Sequence, residues 1–329
     1  MNQIFMRLAS LALPLVLVLS ACTPSPATTQ AQPTEAPAAK ATEAPPAAPA
    51  TVGRLKVIAT FSFLGDFVQN IAGDKVELTI LVGPEGDTHE YEPVPSDSKA
   101  LADAAIIFED GLGFESWLNN LYTASGSKAV RVVVSEGVKM REIEKDGKKE
   151  TDPHIWHNVD NAMQMVKNIE AGLSAADAAN AAIYKANAEA YLTKLAALGK
   201  EVEAEVAKLP KDKRNLVTSH DALGYYADRY GFEVIGSVIA SVSTEAGEPS
   251  AADFVKIVEA IKATNTKAIF LESITNPALI ERVAKEAGIV VGPELFTDSL
   301  GKPGSAGATY SDAVRHNTKA LVSALGGSN

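Results

Sequence analysis

From Leu55 onward, short β-branched runs alternate with stretches whose apolar residues recur every three or four positions. LKVIAT (55–60), VELTILV (76–82), AAIIFED (104–110) and AVRVVVSEG (129–137) read as strands. A helix follows the first and ends at Gly73, and another is expected around 96–103. A charged turn, MREIEKDGKKE, then leads into DPHIWHN. Later in the chain the rhythm returns, with strands expected at NLVTS (215–219), FEVIGSV (232–238), KAIFLES (267–273) and IVV (289–291). The helices among them have readable starts: Ser250 and Asp253 in capping-box-like spacing, and Asn276-Pro277. Residues 310–325 form the expected closing helix. The pattern predicts an α/β fold of two lobes, each with a mainly parallel sheet flanked by helices.

The middle breaks this rhythm. Between 177 and 209 there is no proline and no glycine except Gly199. Tyr184, Ala188, Tyr191, Leu195, Leu198, Val202, Val206 and Leu209 mark one face of a helix. A helix over that span would be about 48 Å long at ~1.5 Å per residue, longer than one small domain is wide. It therefore reads as a rigid strut joining two lobes. The expected divisions are a first lobe over 54–172, a linking helix over 173–210 and a second lobe over 211–329.

The first fifty residues belong to neither lobe. One positive charge, Arg7, precedes an apolar run from Leu8 to Leu19 that is shorter than the roughly 20 residues of a spanning helix. Leu19-Ser20-Ala21-Cys22 resembles a lipobox, which implies a signal peptide over 1–21 and a lipid on the Cys22 sulfur. Cys22 is the single cysteine, so its lipidation leaves no thiol for a disulfide or a metal. Residues 22–53 are rich in Pro, Ala and Thr and lack aromatics, and read as a tether. The net charge of −11 becomes −12 once Arg7 leaves with the signal, which argues against nucleic acid and against a polybasic membrane patch. A monomer is expected.

Three of the five histidines stand in turn-like segments beside strands: His89 in GDTHEYEP, His154 in DPHIWHN and His220 in VTSHDALGYYADRYG. Asp298, in LFTDSLG, stands similarly after 289–291. Open α/β sheets bind ligands outside the carboxyl ends of their strands, and an interlobe cleft would bring these residues together. Three imidazoles and a carboxylate can close a tetrahedral zinc site. His157 competes with His154, because residues three apart on a helical turn share a face. Glu272 in FLESITNP reads either as a support behind a ligand or as a plain strand-end carboxylate, and His316 as a surface residue of the last helix.

HEYEPVPSD, DPHIWHN, VTSHDALGYYADRYG, FLESITNP and LFTDSLG occur in the order found in the cluster A-I solute-binding proteins, which the chain resembles from Leu55 to its end. These are the zinc- and manganese-binding lipoproteins of bacterial ABC transporters. The resemblance implies two α/β lobes on one long helix, with the metal in the cleft on His89, His154, His220 and Asp298. It also implies extracytoplasmic anchoring through Cys22, delivery to a membrane permease powered by an ATPase, and no catalysed reaction. Two positions depart from the pattern: Asp87-Thr88 where Asp-Pro is frequent, and His157 where many relatives have Leu. The DPH motif favours His154 of the histidine pair. No His-rich loop appears over 139–151. His220 at the third position, where several manganese binders carry Glu, favours Zn2+, with Mn2+ as the alternative. The alternative of another class is a zinc hydrolase, which would keep one metal position open for water beside a general base; the chain has no HExxH.

Overall fold

The computed structural model describes residues 53–326 apart from 146–147, 240 and 247–248. The signal peptide, Cys22 and the tether up to residue 52 lie outside the described residues. The first sheet contains β1 (Leu55–Phe61), β2 (Val76–Val82), β3 (Ile106–Glu109) and β4 (Val130–Val133). All pairings are parallel, in the order β2-β1-β3-β4. The order reverses between β1 and β3, which leaves a crevice at their carboxyl ends. Both faces of β1 are covered, so Val57 to Phe61 form an unbroken buried run instead of an alternating one. Helices α1 (Ser62–Ala72) and α2 (Pro95–Asp103) pack on β1, and α3 (Leu118–Ser125) packs on α2.

The segment read as a charged turn is instead a β-hairpin, β5 (Glu142–Lys145) against β6 (Lys148–Thr151), antiparallel. It escaped notice because its outward residues are charged on both strands and no apolar alternation marks it. A 3-10 turn over Ile155–His157 follows, then α4 (Val159–Ala176), capped by the Asn158 side chain on the Asp160 N–H. Gly172 lets α4 press onto the first sheet: a Cβ there would stand 2.9 Å from the Phe108 ring.

Helix α5 (Ala181–Val206) links the lobes. It is shorter than the expected 177–209 because α4 ends at Asp177, whose carboxylate takes hydrogen bonds from Asn180 and Tyr184. All eight positions of its forecast apolar face, Leu209 included, are buried. The helix packs on α1, α4 and α9 (Tyr310–Gly326).

The second half of the chain builds two parallel pairs. One is β7 (Asn215–Thr218) with β8 (Glu233–Ser237); the other is β9 (Ala268–Ile269) with β10 (Val290–Val291). The Phe270 N–H donates to the Val217 carbonyl and joins them. The strands expected over 267–273 and 289–291 are shorter than read, because the chain leaves the ladder after Ile269 to carry Glu272 inward, where it forms an isolated bridge with Leu295. Helices α6 (Gly224–Tyr230), α7 (Ala251–Thr264) and α8 (Pro277–Ala287) complete this half, with Ser250 and Asn276 as the side-chain caps the sequence marked. The core is unequal. One large cluster runs from the first sheet through α4 and α5 into α6 and α9. A small separate cluster, including Val217, Ile257, Ile261, Ile269 and Val283, lies under α7 and α8.

The fully buried Leu195 sits at the centre of α5. Replacing it with Ala is expected to cost ~2–5 kcal/mol. Ile183→Ala at an exposed position of the same helix should change stability by no more than ~0.5 kcal/mol. Denaturant unfolding of the two variants checks the difference.

Candidate metal centre

Four loops deliver one polar side chain each to the same point. His89 lies between β2 and α2, in a turn held by the Asp87 carboxylate, which accepts from the His89 N–H at 2.8 Å and the Glu90 N–H at 3.3 Å. Trp117 secures the same loop through its indole N–H on the Thr88 carbonyl. The His89 ring stands edge-on to Phe114, 4.7 Å between centroids. His154 precedes the 3-10 turn and packs against Trp156, whose own N–H reaches across to the Thr297 carbonyl. His220 directly follows β7, and Asp298 follows the bridge at Leu295.

The structure brings together all four residues proposed from sequence. The Nε2 atoms of His89 and His220 stand 3.4 and 3.2 Å from that of His154. Asp298 Oδ2 is 3.4 Å from His89 Nε2 and 3.1 Å from His220 Nε2, and Oδ1 is 3.4 Å from His154 Nε2. Metal bonds of about 2.0–2.1 Å at tetrahedral angles give donor–donor edges of roughly 3.3–3.4 Å. These spacings therefore suit donors around one ion. Neither Asp298 oxygen has a hydrogen-bond partner of good geometry, although both are buried. A cation at the centre would satisfy those lone pairs together with the imidazole ones. His89 is 5% exposed and the other three are fully buried, so the centre is closed to bulk water.

The outward ring nitrogens are held in turn. Asp152 Oδ1 accepts from the His154 N–H at 3.0 Å and faces His154 Nδ1 at 2.8 Å. Glu272 accepts from the His220 N–H and pairs closely with His220 Nδ1, and Thr297 donates to the same carboxylate. With Nδ1 carrying the proton toward a carboxylate, each Nε2 lone pair faces inward. Glu272 is thus the support behind His220. Asp152 was not singled out in sequence, although a carboxylate two positions before a histidine in DPH is the signal that could have found it.

Burial opposes charge on His154, but the Asp298 carboxylate and the Asp152 hydrogen bond outweigh it and raise its pKa to about 9. His220 rises well above the usual histidine value for the same reason, with Glu272 and Asp298 overcoming burial. Burial likewise pushes Asp298 up, yet His220 and His154 hold it well below the carboxylate range. His157 stands outside the cluster. It packs against Phe63 and Trp156, and burial, then the neighbouring His154, lower its pKa to about 3. The 3-10 turn therefore does not bring His154 and His157 to one centre. His316 is half-buried on α9, its Nε2 2.8 Å from the Glu294 carbonyl, away from the centre.

Known proteins with similar sequence and shape give the chain its family. The manganese-binding lipoprotein MntA of Halalkalibacterium halodurans is 36% identical over 272 residues, 82% of this chain and 88% of that one. The metal ABC transporter substrate-binding lipoprotein FimA of Streptococcus parasanguinis is 34% identical over 281 residues, 83% and 90% of the two chains. The periplasmic zinc binding protein TroA from Treponema pallidum superposes with a TM-score of 0.78 at 32% identity, over 83% of this chain and 99% of that one. Residues 57–324 match the family profile described as ZnuA, zinc-uptake complex component A, periplasmic, and the chain belongs to that family.

Proposed function

We propose that this protein is an extracytoplasmic, lipid-anchored carrier that captures a divalent metal ion, zinc, on His89, His154, His220 and Asp298 and delivers it to an ABC permease. The observation that carries the reading is the convergence of these four buried side chains from four separate loops. The ion is cargo, and the family is one of solute-binding proteins, not enzymes. A hydrolase would leave a metal position for water, whereas here a fourth protein donor faces the centre. Anchoring is assigned to Cys22 after removal of 1–21, with residues 22–53 as the tether. The division into lobes over 54–172 and 211–329 about a link over 173–210 belongs to the same proposal, as do a monomeric state and the absence of nucleic-acid partners.

Zinc is preferred because three imidazoles and one carboxylate in a compact, near-tetrahedral arrangement suit it. Manganese is the second reading. Both Asp298 oxygens face the centre, which permits the higher oxygen coordination manganese favours, and MntA is named for manganese binding. Elemental analysis of the chain purified without added metal, followed by zinc–manganese competition, tests the choice. Zinc occupancy is the expected result, and manganese retained in the presence of zinc overturns it.

His220→Ala should weaken zinc binding by more than about 100-fold, beyond the 10–100-fold typical of losing a residue that only supports a ligand. Unchanged affinity in competition calorimetry would remove His220 from the ligand set.

Metal binding needs neutral imidazoles, while the raised pKa of His154, about 9, and the upward shift of His220, both driven by facing carboxylates, favour their protonated forms near neutral pH in the metal-free protein. Binding near pH 7 should therefore release on the order of one to two protons, and apparent affinity should rise with pH up to about 9. Calorimetry in buffers of different ionisation enthalpy measures the release; a count of zero contradicts the assignment.

A further inference from the structure

Arg141 touches neither the centre nor its donors, yet it contacts the support of His154 and the segment that follows His220 at once. It stands at the entrance to the β5–β6 hairpin. Its Nη1 donates to Asp152 Oδ2 at 3.0 Å, and its backbone carbonyl accepts from the Asp152 N–H at 3.0 Å. The other oxygen of that carboxylate is the one that holds His154. On its far side Arg141 meets the segment that follows His220. Its backbone N–H donates to the Tyr225 hydroxyl at 2.8 Å, Nη1 is 4.0 Å from Asp221, and Nε is 3.4 Å from Asp228. The guanidinium lies against Gly224 so closely that a Cβ there would fall 2.2 Å from Cζ.

Magnitudes decide which of these contacts matter. Asp228 is 69% exposed, so its ion pair is screened and contributes little. Asp152 is fully buried, and removing the guanidinium would leave its Oδ2 without a cation, with His154 alone to hold the carboxylate through Oδ1. The Tyr225 hydrogen bond and the Gly224 contact fix the same arginine to α6. One planar side chain thus spans the two halves of the molecule just behind the metal ligands.

We propose that Arg141 is a positioning residue for the metal centre: it locks the Asp152 carboxylate that orients His154 and clasps it to α6 behind His220, so that it slows release of the ion. This rests on the function proposed above. Separation of the His220 side from the His154 side must break the clasp, and loss of the clasp frees the His154 ring to turn.

The test measures zinc affinity and the rate of zinc release to a chelator for the mature full-length chain and for its Arg141→Ala, Arg141→Lys and Tyr225→Phe variants. Arg141→Ala should release zinc about 10–100-fold faster and bind it correspondingly more weakly, the range typical of supports behind metal ligands. Lys supplies the charge without the fork, so Arg141→Lys should recover part of the loss. Tyr225→Phe, which leaves the Asp152 pair intact, should raise the release rate by a smaller factor. The unfolding temperature of the metal-free protein should stay the same in the Lys and Phe variants, separating positioning from support of the fold. Release rates within twofold of the parent in all variants that fold overturn the proposal. A folded parent chain that holds neither zinc nor manganese overturns the carrier function itself, and this role with it.

Discussion

Charge compensation in a place without water governs this molecule. Asp298 is buried with both oxygens lacking a hydrogen-bond partner, and the buried carboxylates Asp152 and Glu272 stand behind two of the histidines facing it. Burying charge is costly unless it is paired. In the metal-free protein, protons on His154 and His220 answer the negative charge; a divalent ion answers it better, because it meets every inward lone pair at once. The loops that carry these groups are anchored accordingly, by Asp87 and Trp117 at His89, by Trp156 beside His154 and by Glu272 at His220.

The scaffold explains how four distant loops meet. Within each sheet the parallel strands point their carboxyl ends the same way, and the loops after β2, β7 and the bridge at Leu295 all reach the metal centre. Helix α5 links the halves, and its buried face is shared among α1, α4 and α9. Trp156 and Thr297 join the two sides again, immediately beneath the centre.

Much of this was legible along the chain, for physical reasons. The buried face of α5 repeats every three or four residues, and the central strands β1 and β3 of the first sheet are buried almost throughout, so each leaves a distinct apolar signature. Three of the four site residues stood out as polar groups placed where an expected strand gives way to a loop, and the fourth, His154, as part of the DPH motif between the lobes. What could not be read is whatever depends on partners distant in sequence. Arg141 meets Tyr225 and Asp228 only through the fold, and it is the packing of His157 on Phe63 and Trp156 that sets it apart from the centre. The hairpin over 142–151 was missed because its charged strands carry no apolar period. The strand over 267–273 was read too long because its sequence stays apolar after the backbone has left the ladder to aim Glu272 inward.

The unequal core has a mechanical consequence. The large cluster is continuous from the first sheet through α5 into α6 and α9, so His154 and the helix behind His220 ride on one stiff chassis. The small cluster under α7 and α8 is a separate packing unit, and Val217 of β7, three residues before His220, belongs to it. Leu216 of the same strand and Ala268 of β9 belong to the large cluster, so β7 and β9 are gripped on both faces. His220 thus hangs from a strand tied on one face to the frame it shares with His154 and on the other to the helices α7 and α8, which gives the ligands of both halves a common foundation.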